Sequence, residues 1–513
     1  MPGKREDMCF NDSISFANKG AGMNIAFFLN RFLEMEKECR NIADNFVDAE
    51  GNNLWLVMRT LFNGYITERG RLKLPPYSFR QSEWTLIPSF IKALSKLRKG
   101  GCLLSSCMEV HTEKFEGKLF DPYLDPVAWE VRRMGMLPIK TVFNFTAGYK
   151  DAEFAVPLLP LTWACLGMKE WRFSGPSAIK SYQGYEKISL KFGLPPVPWQ
   201  NILSYYLGVS SMAGLWKQIL SILKPRMAVL ECYYNERNMG LAMACRALGI
   251  PCIEYQHGLQ TWPHVAYNFP CIPPHGYDAL PEWFFLWGER SAQNINRYFS
   301  QQDFHKSFVA GKPAYIAWTQ DTGGGRQEYE ARLDAVTQGR IPVCVALPVG
   351  ETEQYALLEA AVSQAPADWI WLLRRHPVNG SPLASGLDLA ARFPERSERE
   401  LSSAMSLHSL LQHCRHLVTG YSSTVLEATA LHGMSATCID AQARYYLREN
   451  IERGEARFAD SVDSLLSSIS RGISEYPCQY GHASEISKNK DQMFLAFKHV
   501  VAYETAISKN VGG

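Results

Sequence analysis

Short apolar runs alternate with amphipathic segments through the second half of the chain. Buried strands are predicted at 341–347, 368–373, 416–419 and 435–439. Helical periodicity between and after them predicts helices at 354–364, 406–414, 424–432 and 458–470. Strands that alternate with helices favour a parallel, doubly wound sheet.

The same alternation of strands and helices is predicted in the part of the chain that precedes residue 341. Strands are predicted at 227–232, 251–255, 283–287 and 308–310, with helices at 236–248 and 288–299. The N-terminal part shows helical periodicity over 24–47 and 54–67, and the last stretch, 485–508, also has the character of a helix. The predicted fold is therefore α/β, with two Rossmann-like doubly wound domains that face a cleft.

These patterns also predict where the domains begin and end. Residues 1–315 form the first domain with a helical N-terminal extension, and residues 341–484 form the second. The segment 316–340 contains Gly323–Gly325 and is expected to be a flexible linker that acts as a hinge. Residues 485–513 are expected to form a C-terminal helix that packs back on the first domain.

Composition narrows the class of protein. The chain has 513 residues, of which 46% are hydrophobic and 20% charged, as in a globular protein of two large domains. A net charge of +2 argues against a nucleic-acid binder that relies on bulk electrostatics. The 13 cysteines are scattered without a C-x-x-C pair, so we expect reduced, buried thiols and no metal site. Without a signal peptide or an apolar span, the sequence predicts a cytoplasmic protein.

Polar residues follow three of the predicted strands at their carboxyl ends. They are segments 256–258 (Gln-His-Gly), 374–377 (Arg-Arg-His-Pro) and 420–423 (Gly-Tyr-Ser-Ser). Ligands of open α/β sheets bind at the carboxyl ends of the strands. A cleft between the two domains would bring the three segments together.

The segment 420–423 stands between a strand and a helix. Ser422 or Ser423 is a suitable N-cap, and the free N–H groups of a helix start attract an anion such as phosphate. Glu427 lies about one turn further on, where it could reach a ribose hydroxyl or brace the loop. The structural alternative is that the two serines only cap the helix.

The segment 374–377 supplies cations. Arg374 and Arg375 are positioned to bind phosphate, and Pro377 biases His376 toward an extended backbone at the strand tip, where its imidazole could donate to a phosphate. A solvated loop with incidental charge is the alternative.

Two residues of the first domain are candidates for proton transfer. His257 follows a buried strand, and Gln256 and Gly258 flank it as acceptor-side or supporting residues. Gly258 permits a positive φ or a close approach of the backbone. Glu231 ends the strand 227–232 and is a candidate general base, although it could equally cap the helix at 236–248. A structural histidine is the alternative for His257.

Taken together, the segments 256–258, 376–377 and 422–423 resemble motifs of bacterial GT-B glycosyltransferases of surface polysaccharide synthesis. The similarity is to the Kdo transferases of capsule and lipopolysaccharide, and to the bacterial sialyltransferases and polysialyltransferases with their HP and SS motifs. It covers roughly residues 225–440. The acidic base motif of the sialyltransferases is not plainly present.

The resemblance implies a metal-independent transferase without a cofactor. A CMP-activated sugar would bind the second domain through Arg374, Arg375, His376, Ser422 and Ser423. A glycan or lipid-linked glycan acceptor would bind the first domain near its candidate catalytic residues.

The resemblance also implies a peripheral place at the inner face of the cytoplasmic membrane. The aromatic-rich segment 155–171 and the basic segment 92–99 are candidate contacts. Nucleic acid is not an expected partner.

Three other functions stay open from the sequence. CDP-glycerol phosphotransferases of teichoic-acid synthesis have a similar set of motifs. A nucleotide-sugar epimerase fits the same architecture. A GT-B-like protein that binds glycan or assembles partners without turnover is the third.

Overall fold

The fold was analysed in a computed structural model. It describes residues 25–67, 101–105, 113–115, 118–142, 155–157, 176–261, 263–320, 324–346, 352–374, 389–477, 486–489 and 491–511. Arg375 and His376 therefore lie outside the described residues, as do the membrane-contact segment 92–99 and most of 155–171.

The first domain is built on a parallel sheet. Its seven described strands are β1 (Cys102–Ser105), β4 (Pro138–Val142), β5 (Ala155–Pro157), β6 (Met227–Leu230), β7 (Cys252–Tyr255), β8 (Trp283–Leu286) and β9 (Lys306–Val309). Their order is β5-β4-β1-β6-β7-β8-β9. The chain thus runs outward on both sides of β1, and the topological switch point lies between β1 and β6. A separate antiparallel pair is formed by β2 (Glu113–Phe115) and β3 (Lys118–Phe120).

The second domain is built on another parallel sheet. Its six described strands are β10 (Ile341–Ala346), β11 (Trp369–Arg374), β12 (Ser397–Glu398), β13 (His416–Thr419), β14 (Ala436–Cys438) and β15 (Ala456–Phe458). Their order is β12-β11-β10-β13-β14-β15, so the switch point lies between β10 and β13. Two doubly wound parallel sheets confirm the predicted α/β class and its two-domain, GT-B-like architecture.

Helices connect and flank the strands. In the first domain they are α1 (Ile25–Glu38), α2 (Arg40–Asp44), α3 (Trp55–Thr67), α4 (Leu124–Arg133), α5 (Tyr182–Lys191), α6 (Trp199–Leu223), α7 (Glu236–Leu248) and α8 (Glu289–Phe299). The rest are α9 (Pro313–Gln320), α10 (Gly324–Thr337), α11 (Thr352–Gln364), α12 (Leu389–Arg392), α13 (Glu400–Ala404), α14 (Leu407–His413), α15 (Thr424–His432), α16 (Ala443–Tyr446), α17 (Arg448–Glu452), α18 (Val462–Ser474) and α19 (Gln492–Val511). Short 3₁₀ turns occur at Pro176–Ala178 and Val265–Tyr267.

Most predicted elements appear within a residue or two of their expected bounds. Three differ. The helix predicted over 458–470 begins four residues later, as α18 at Val462, because Ser461 forms a capping box with Ser464, and Phe458 ends the strand β15. The helix predicted over 24–47 is divided into α1 and α2 at Cys39.

The predicted linker also differs in local structure. Most of its described residues belong to α9 and α10, and Gly324 opens α10, so the segment is largely helical. Trp318 explains part of this order, because its indole Nε1 donates to Ser409 Oγ at 3.0 Å and the guanidinium of Arg326 lies 4.3 Å from its ring. The domain boundaries themselves stay a prediction.

Helix α6 was not predicted, and it packs closely on α7. A Cβ at Gly240 of α7 would lie 2.6 Å from Cβ of Met212, so only glycine permits this approach. Asn235 caps α7 by accepting from the N–H of Asn238 at 3.0 Å, and Gly249 ends the helix at φ 63°. This packing fixes the start of α7 beside the switch point of the first sheet.

A shared apolar core joins the two domains. It takes Val229 and Phe285 from the first sheet and Cys344 and Leu417 from the second. The last helix, α19, contacts the first domain, where the rings of Phe497 and Phe285 lie 5.0 Å apart. Among the described residues, no helix is long and apolar enough to span a bilayer.

Candidate functional site

The carboxyl ends of β1 and β6 are closed by a network of hydrogen bonds. Ser105 Oγ donates to Asn238 Oδ1 at 2.8 Å, and Asn238 Nδ2 donates to the carbonyl of Cys232 at 2.7 Å. The N–H of Glu231 donates to the carbonyl of Ser105 at 3.3 Å. The Glu231 carboxylate is fully buried at this point. A substrate could reach it only after a rearrangement, although it stands at the predicted strand end.

His257 is the more accessible of the two candidate catalytic residues. Its side chain keeps 13% of its exposure, and its Nε2 lies 3.2 Å from the hydroxyl of Tyr234. Its Nδ1 lies 3.9 Å from Oε1 of Glu254, a carboxylate from the buried strand β7. One ring nitrogen therefore faces a hydroxyl and the other faces a carboxylate.

Glu254 stands in a fully buried position behind His257. Tyr267 donates its hydroxyl to Glu254 Oε1 at 2.5 Å. Burial raises the pKa of Glu254 well above its usual range, the Tyr267 hydrogen bond opposes the rise, and the neighbouring charge of Glu231 adds to it. Burial also raises the pKa of Tyr267. Burial therefore favours the protonated form of this carboxyl next to the imidazole.

Gln256 holds the loop that carries His257. Its Oε1 accepts from the N–H of Trp287 at 2.7 Å, and its Nε2 donates to the carbonyl of Gly258 at 2.9 Å. Trp287 Nε1 donates back to the carbonyl of Gln256 at 2.7 Å. Gln256, which was predicted as an acceptor-side or supporting residue, thus clamps the strand tip.

The backbone at Gly258 does not adopt the left-handed conformation that favours glycine. Its φ lies outside the left-handed region, so of the two expected reasons for a glycine the positive φ is wrong. Among the described residues, no heavy atom would lie within 4 Å of a Cβ built at Gly258, so no close approach there requires a glycine either. With respect to that part of the chain, the space beside Gly258 is open.

The second-domain site begins at the end of β13. Ser422 Oγ accepts from the N–H of Thr424 at 3.2 Å and lies 2.8 Å from the Thr424 hydroxyl. Ser423 occupies the N-cap position of α15, but its side chain makes no capping hydrogen bond. Ser422 therefore satisfies the helix start, and both serines remain half-buried at the tip.

Glu427 is committed to an ion pair between the domains. Its Oε1 lies 2.5 Å from Nζ of Lys312, which follows β9 of the first sheet, and both side chains are 4% exposed. The ammonium of Lys312 also lies 4.0 Å from the ring of Trp287. In this structure Glu427 braces the loop, the second of its two predicted roles.

Two histidines complete this buried polar cluster. His408 Nε2 lies 3.6 Å from Glu427 Oε2, and His408 Nδ1 lies 3.2 Å from His432 Nε2. Burial lowers the pKa of His408 well below its usual range, and burial lowers the pKa of His432 to about 4. Both rings are therefore neutral at physiological pH.

Arg374, the described member of the Arg-Arg-His-Pro segment, is 8% exposed. Its Nη1 donates to the carbonyls of Ser402 and Met405, at 3.1 Å in the case of Ser402. These contacts tie β11 to α13, and they use much of the hydrogen-bonding capacity of the Arg374 guanidinium. The neighbouring Arg375 and His376 lie outside the described residues, so their roles stay predictions.

A row of aromatic rings connects the two strand tips across the domains. Tyr421 stacks on Tyr446 with ring centroids 5.6 Å apart, and Tyr446 lies 6.2 Å from His264 of the first domain. His264 lies 6.0 Å from Tyr234, whose ring is 5.9 Å from His257. The segments 256–258 and 420–423 therefore belong to one seam.

Hydrogen bonds and charge also cross the seam. Tyr445 donates its hydroxyl to the carbonyl of Pro263 at 3.5 Å. Arg290 of α8 forms a bidentate pair with Glu455, with distances of 3.1 and 3.2 Å. Both partners are buried, so the relative position of the domains is strongly specified here.

Glu254, Tyr267 and Lys312 were missed by sequence reasoning. Glu254 carried a signal, because a carboxylate inside the apolar strand 251–255 must be buried and needs a partner. Tyr267 and Lys312 carried none, since their roles depend on contacts between distant segments.

Comparison with known proteins gives a limited result. No protein-family model matches the chain, and neither does any curated protein. Among solved structures, the UDP-GlcNAc 2-epimerase from Neisseria meningitidis bound to UDP-GlcNAc has a TM-score of 0.47 at 12% identity, covering 79% of this chain and 100% of that one. The S. aureus MnaA–UDP co-structure gives 0.46 at 10% identity, with 79% and 97% covered.

The calicheamicin glycosyltransferase CalG4 gives a TM-score of 0.44 at 12% identity, with 80% of this chain and 99% of that one covered. Similarity this low does not transfer the activities of these proteins to the chain. A function for this chain has to rest on the architecture of its two sheets and on the residues at their carboxyl ends.

Proposed function

We propose that the protein is a glycosyltransferase that moves a Kdo-like or sialic-acid-like sugar from a CMP-activated donor to a bacterial surface glycan or lipid-linked acceptor. One observation carries the proposal. The aromatic row from Tyr421 to His257 joins the tip of the switch-point strand β13 to the tip of β7. An anion-binding helix start and a candidate base therefore face one seam.

The donor would bind the second domain. The start of α15 with Ser422 and Ser423 offers hydroxyls and a helix dipole to the phosphate of the nucleotide. Arg375 and His376, one and two positions beyond the buried end of β11, would add positive charge and a hydrogen-bond donor. The preference for CMP rests on the resemblance of these segments to HP and SS motifs.

The acceptor would bind the first domain beside His257. The acceptor oxygen attacks the anomeric carbon, the bond from that carbon to the phosphate oxygen breaks, and CMP leaves with the bonding electron pair. His257 takes the proton of the acceptor hydroxyl, with Oε1 of the buried Glu254 lying 3.9 Å from its Nδ1. Glu231 is the second candidate base, but its burial makes it the weaker one.

Nucleotide binding gives the first test. Isothermal titration with CMP, CDP-glycerol and UDP-GlcNAc, followed by turnover assays with CMP-Kdo and CMP-N-acetylneuraminic acid, separates the candidate donors. We expect CMP to bind the wild type. The variants Ser423→Ala and His376→Ala should bind CMP more weakly. Exclusive binding of CDP-glycerol would instead favour the phosphotransferase, and exclusive binding of UDP-GlcNAc an epimerase or a UDP-sugar transferase.

A non-catalytic role is the alternative of another class. It predicts that His376→Ala and Ser423→Ala variants keep full biological function, and that neither CMP-sugar is consumed. Consumption of either donor with release of CMP would exclude it.

A further inference from the structure

The loop after β7 contains a buried amide that no group among the described residues satisfies. Gln260 is only 2% exposed, yet within the described part of the chain neither Oε1 nor Nε2 has a hydrogen-bond partner. The hydroxyl oxygen of the next residue, Thr261, is also buried without a partner there. Leaving such groups unpaired is costly, and native proteins rarely tolerate it without a reason.

The flanking contacts place this amide at the seam between the domains. The loop begins at Gln256, which Trp287 clamps. Leu259 packs on the core that the two domains share. The loop ends at Pro263, whose carbonyl accepts from Tyr445 of the second domain. Gln260 and Thr261 lie midway between these anchors, three and four residues beyond His257.

Other groups of the same loop are satisfied. Gln256, in the same loop, is fully buried and uses both its amide oxygen and its amide nitrogen. The carbonyl of Thr261 accepts from the N–H of His264 at 2.9 Å. The backbone is therefore fixed, while two adjacent side chains are held with unused donors and acceptors.

We propose that Gln260 and Thr261 form a binding subsite for a neutral, hydroxyl-rich ligand, a carbohydrate, which reaches these buried groups only after a local rearrangement. A side-chain amide presents donors and an acceptor side by side, and a hydroxyl can do either, which matches adjacent sugar hydroxyls. Neither group is charged, so neither would offset the cost of desolvating an ion at this buried position, and a neutral ligand fits better. As far as the described residues extend, the space beside Gly258, next to His257 in the chain, is open.

This subsite deepens the proposed function, because it assigns the sugar acceptor to the first domain. The link to catalysis rests on that proposed function. The carbohydrate-binding claim itself stands on the buried amide and is tested without turnover.

The stability of a matched pair of variants tests whether the buried Gln260 amide lacks hydrogen-bond partners. Gln302 is also a buried glutamine, at 8% exposure, but it donates to the carbonyls of Phe299 and His305 and accepts from the N–H groups of Phe304 and His305. Gln302→Met should lower Tm by roughly 2–4 °C or more. Gln260→Met should leave Tm unchanged or raise it, because it removes an unsatisfied group.

Saturation-transfer NMR tests the ligand class. The probes are the methyl glycosides of glucose, galactose and N-acetylglucosamine, each added to the full chain, with CMP binding measured in parallel by calorimetry. We expect the wild type and Gln302→Met to bind at least one glycoside. The affinity for that glycoside should fall in Gln260→Met, Gln260→Leu and Thr261→Val. We expect a fall of about tenfold in the two glutamine variants. All variants should keep the CMP affinity of the wild type.

Three results would overturn the subsite: no glycoside binds the wild type, Gln260→Met and Gln260→Leu bind as well as the wild type, or Gln260→Met loses as much Tm as Gln302→Met. A wild type that binds a glycoside but not CMP would remove the proposed donor while leaving the subsite in place.

Discussion

The two sides of the seam are built from different chemistry. The first-domain side places buried titratable groups, Glu254 and His257, among tyrosine rings. The second-domain side places half-buried hydroxyls, Ser422 and Ser423, on a helix start above a buried ion pair. Burial beside a carboxylate tunes proton transfer, whereas a helix start with hydroxyls binds an anion. The difference indicates a division between a proton-transfer side and a phosphate side.

Loss of the His257 imidazole should have the largest effect of all, and it should appear in the rate of turnover. His257→Ala should lower turnover of a CMP-sugar donor by about 10²–10⁴-fold, because general-base catalysis contributes on that order. The measurement is the rate of CMP release. The matched control is His275→Ala, an exposed histidine in the same domain, which should keep the wild-type rate. A His257→Ala rate within twofold of the wild type would show that His257 is not the proton acceptor of the reaction.

The ion pair between the domains should have the next largest effect, on stability. Lys312→Met or Glu427→Gln should lower the free energy of unfolding by about 3–5 kcal/mol, because either change leaves a buried charge or a cluster member without its partner. Urea unfolding measures this.

The double variant Lys312→Met/Glu427→Leu is the control for that pair. It should recover much of the loss, since apolar groups of similar volume replace both charges. A double variant less stable than both single variants would contradict this account.

The buried histidines predict a loss of stability in acid. Burial lowers the pKa of His264 to about 4 from its ordinary value of 6.5. Because the unfolded chain binds this proton first, stability is fully present above pH 6.5 and falls as pH drops toward 4, by about 3 kcal/mol for this residue. Urea midpoints between pH 7.5 and 4.5 measure the slope, and His264→Gln should make it shallower. An unchanged slope in His264→Gln would contradict the assignment.

The smallest effect is expected at the helix start of the second domain. Ser422→Ala should lower the free energy of unfolding by about 1 kcal/mol, because the N–H of Thr424 loses its acceptor. Ser423→Ala is the matched control and should change stability less, since Ser423 makes no capping hydrogen bond. Equal losses in the two variants would mean that both serines cap the helix. Calorimetric Tm values compare them.

Much of the second domain was predictable because its signals are local. The helix Thr424–His432 appears at its predicted bounds, since a strand end, hydroxyls and Gly433 mark its start and end. The strand Ala456–Phe458 was not predicted, because three residues carry no periodicity and the strand that it pairs with, β14, lies elsewhere in the chain.

The candidate site was predictable only in part. The strand tips bearing His257 and Ser422 follow from apolar runs that end in polar residues, a pattern the sequence displays directly. The part played by Glu427 was left open between ribose binding and bracing, and its partner Lys312 lies 115 positions earlier in the chain. No local pattern records a contact over that separation.

The sequence by itself determined the alternation of strands and helices, the α/β class and the polar residues at the strand ends, because periodicity and caps act over a few residues. Only the tertiary structure decided what those polar residues contact. It paired Glu427 with Lys312, placed Glu254 behind His257 and left the amide of Gln260 buried without a partner among the described residues. These outcomes depend on burial and on distances between remote segments, which chain packing alone sets.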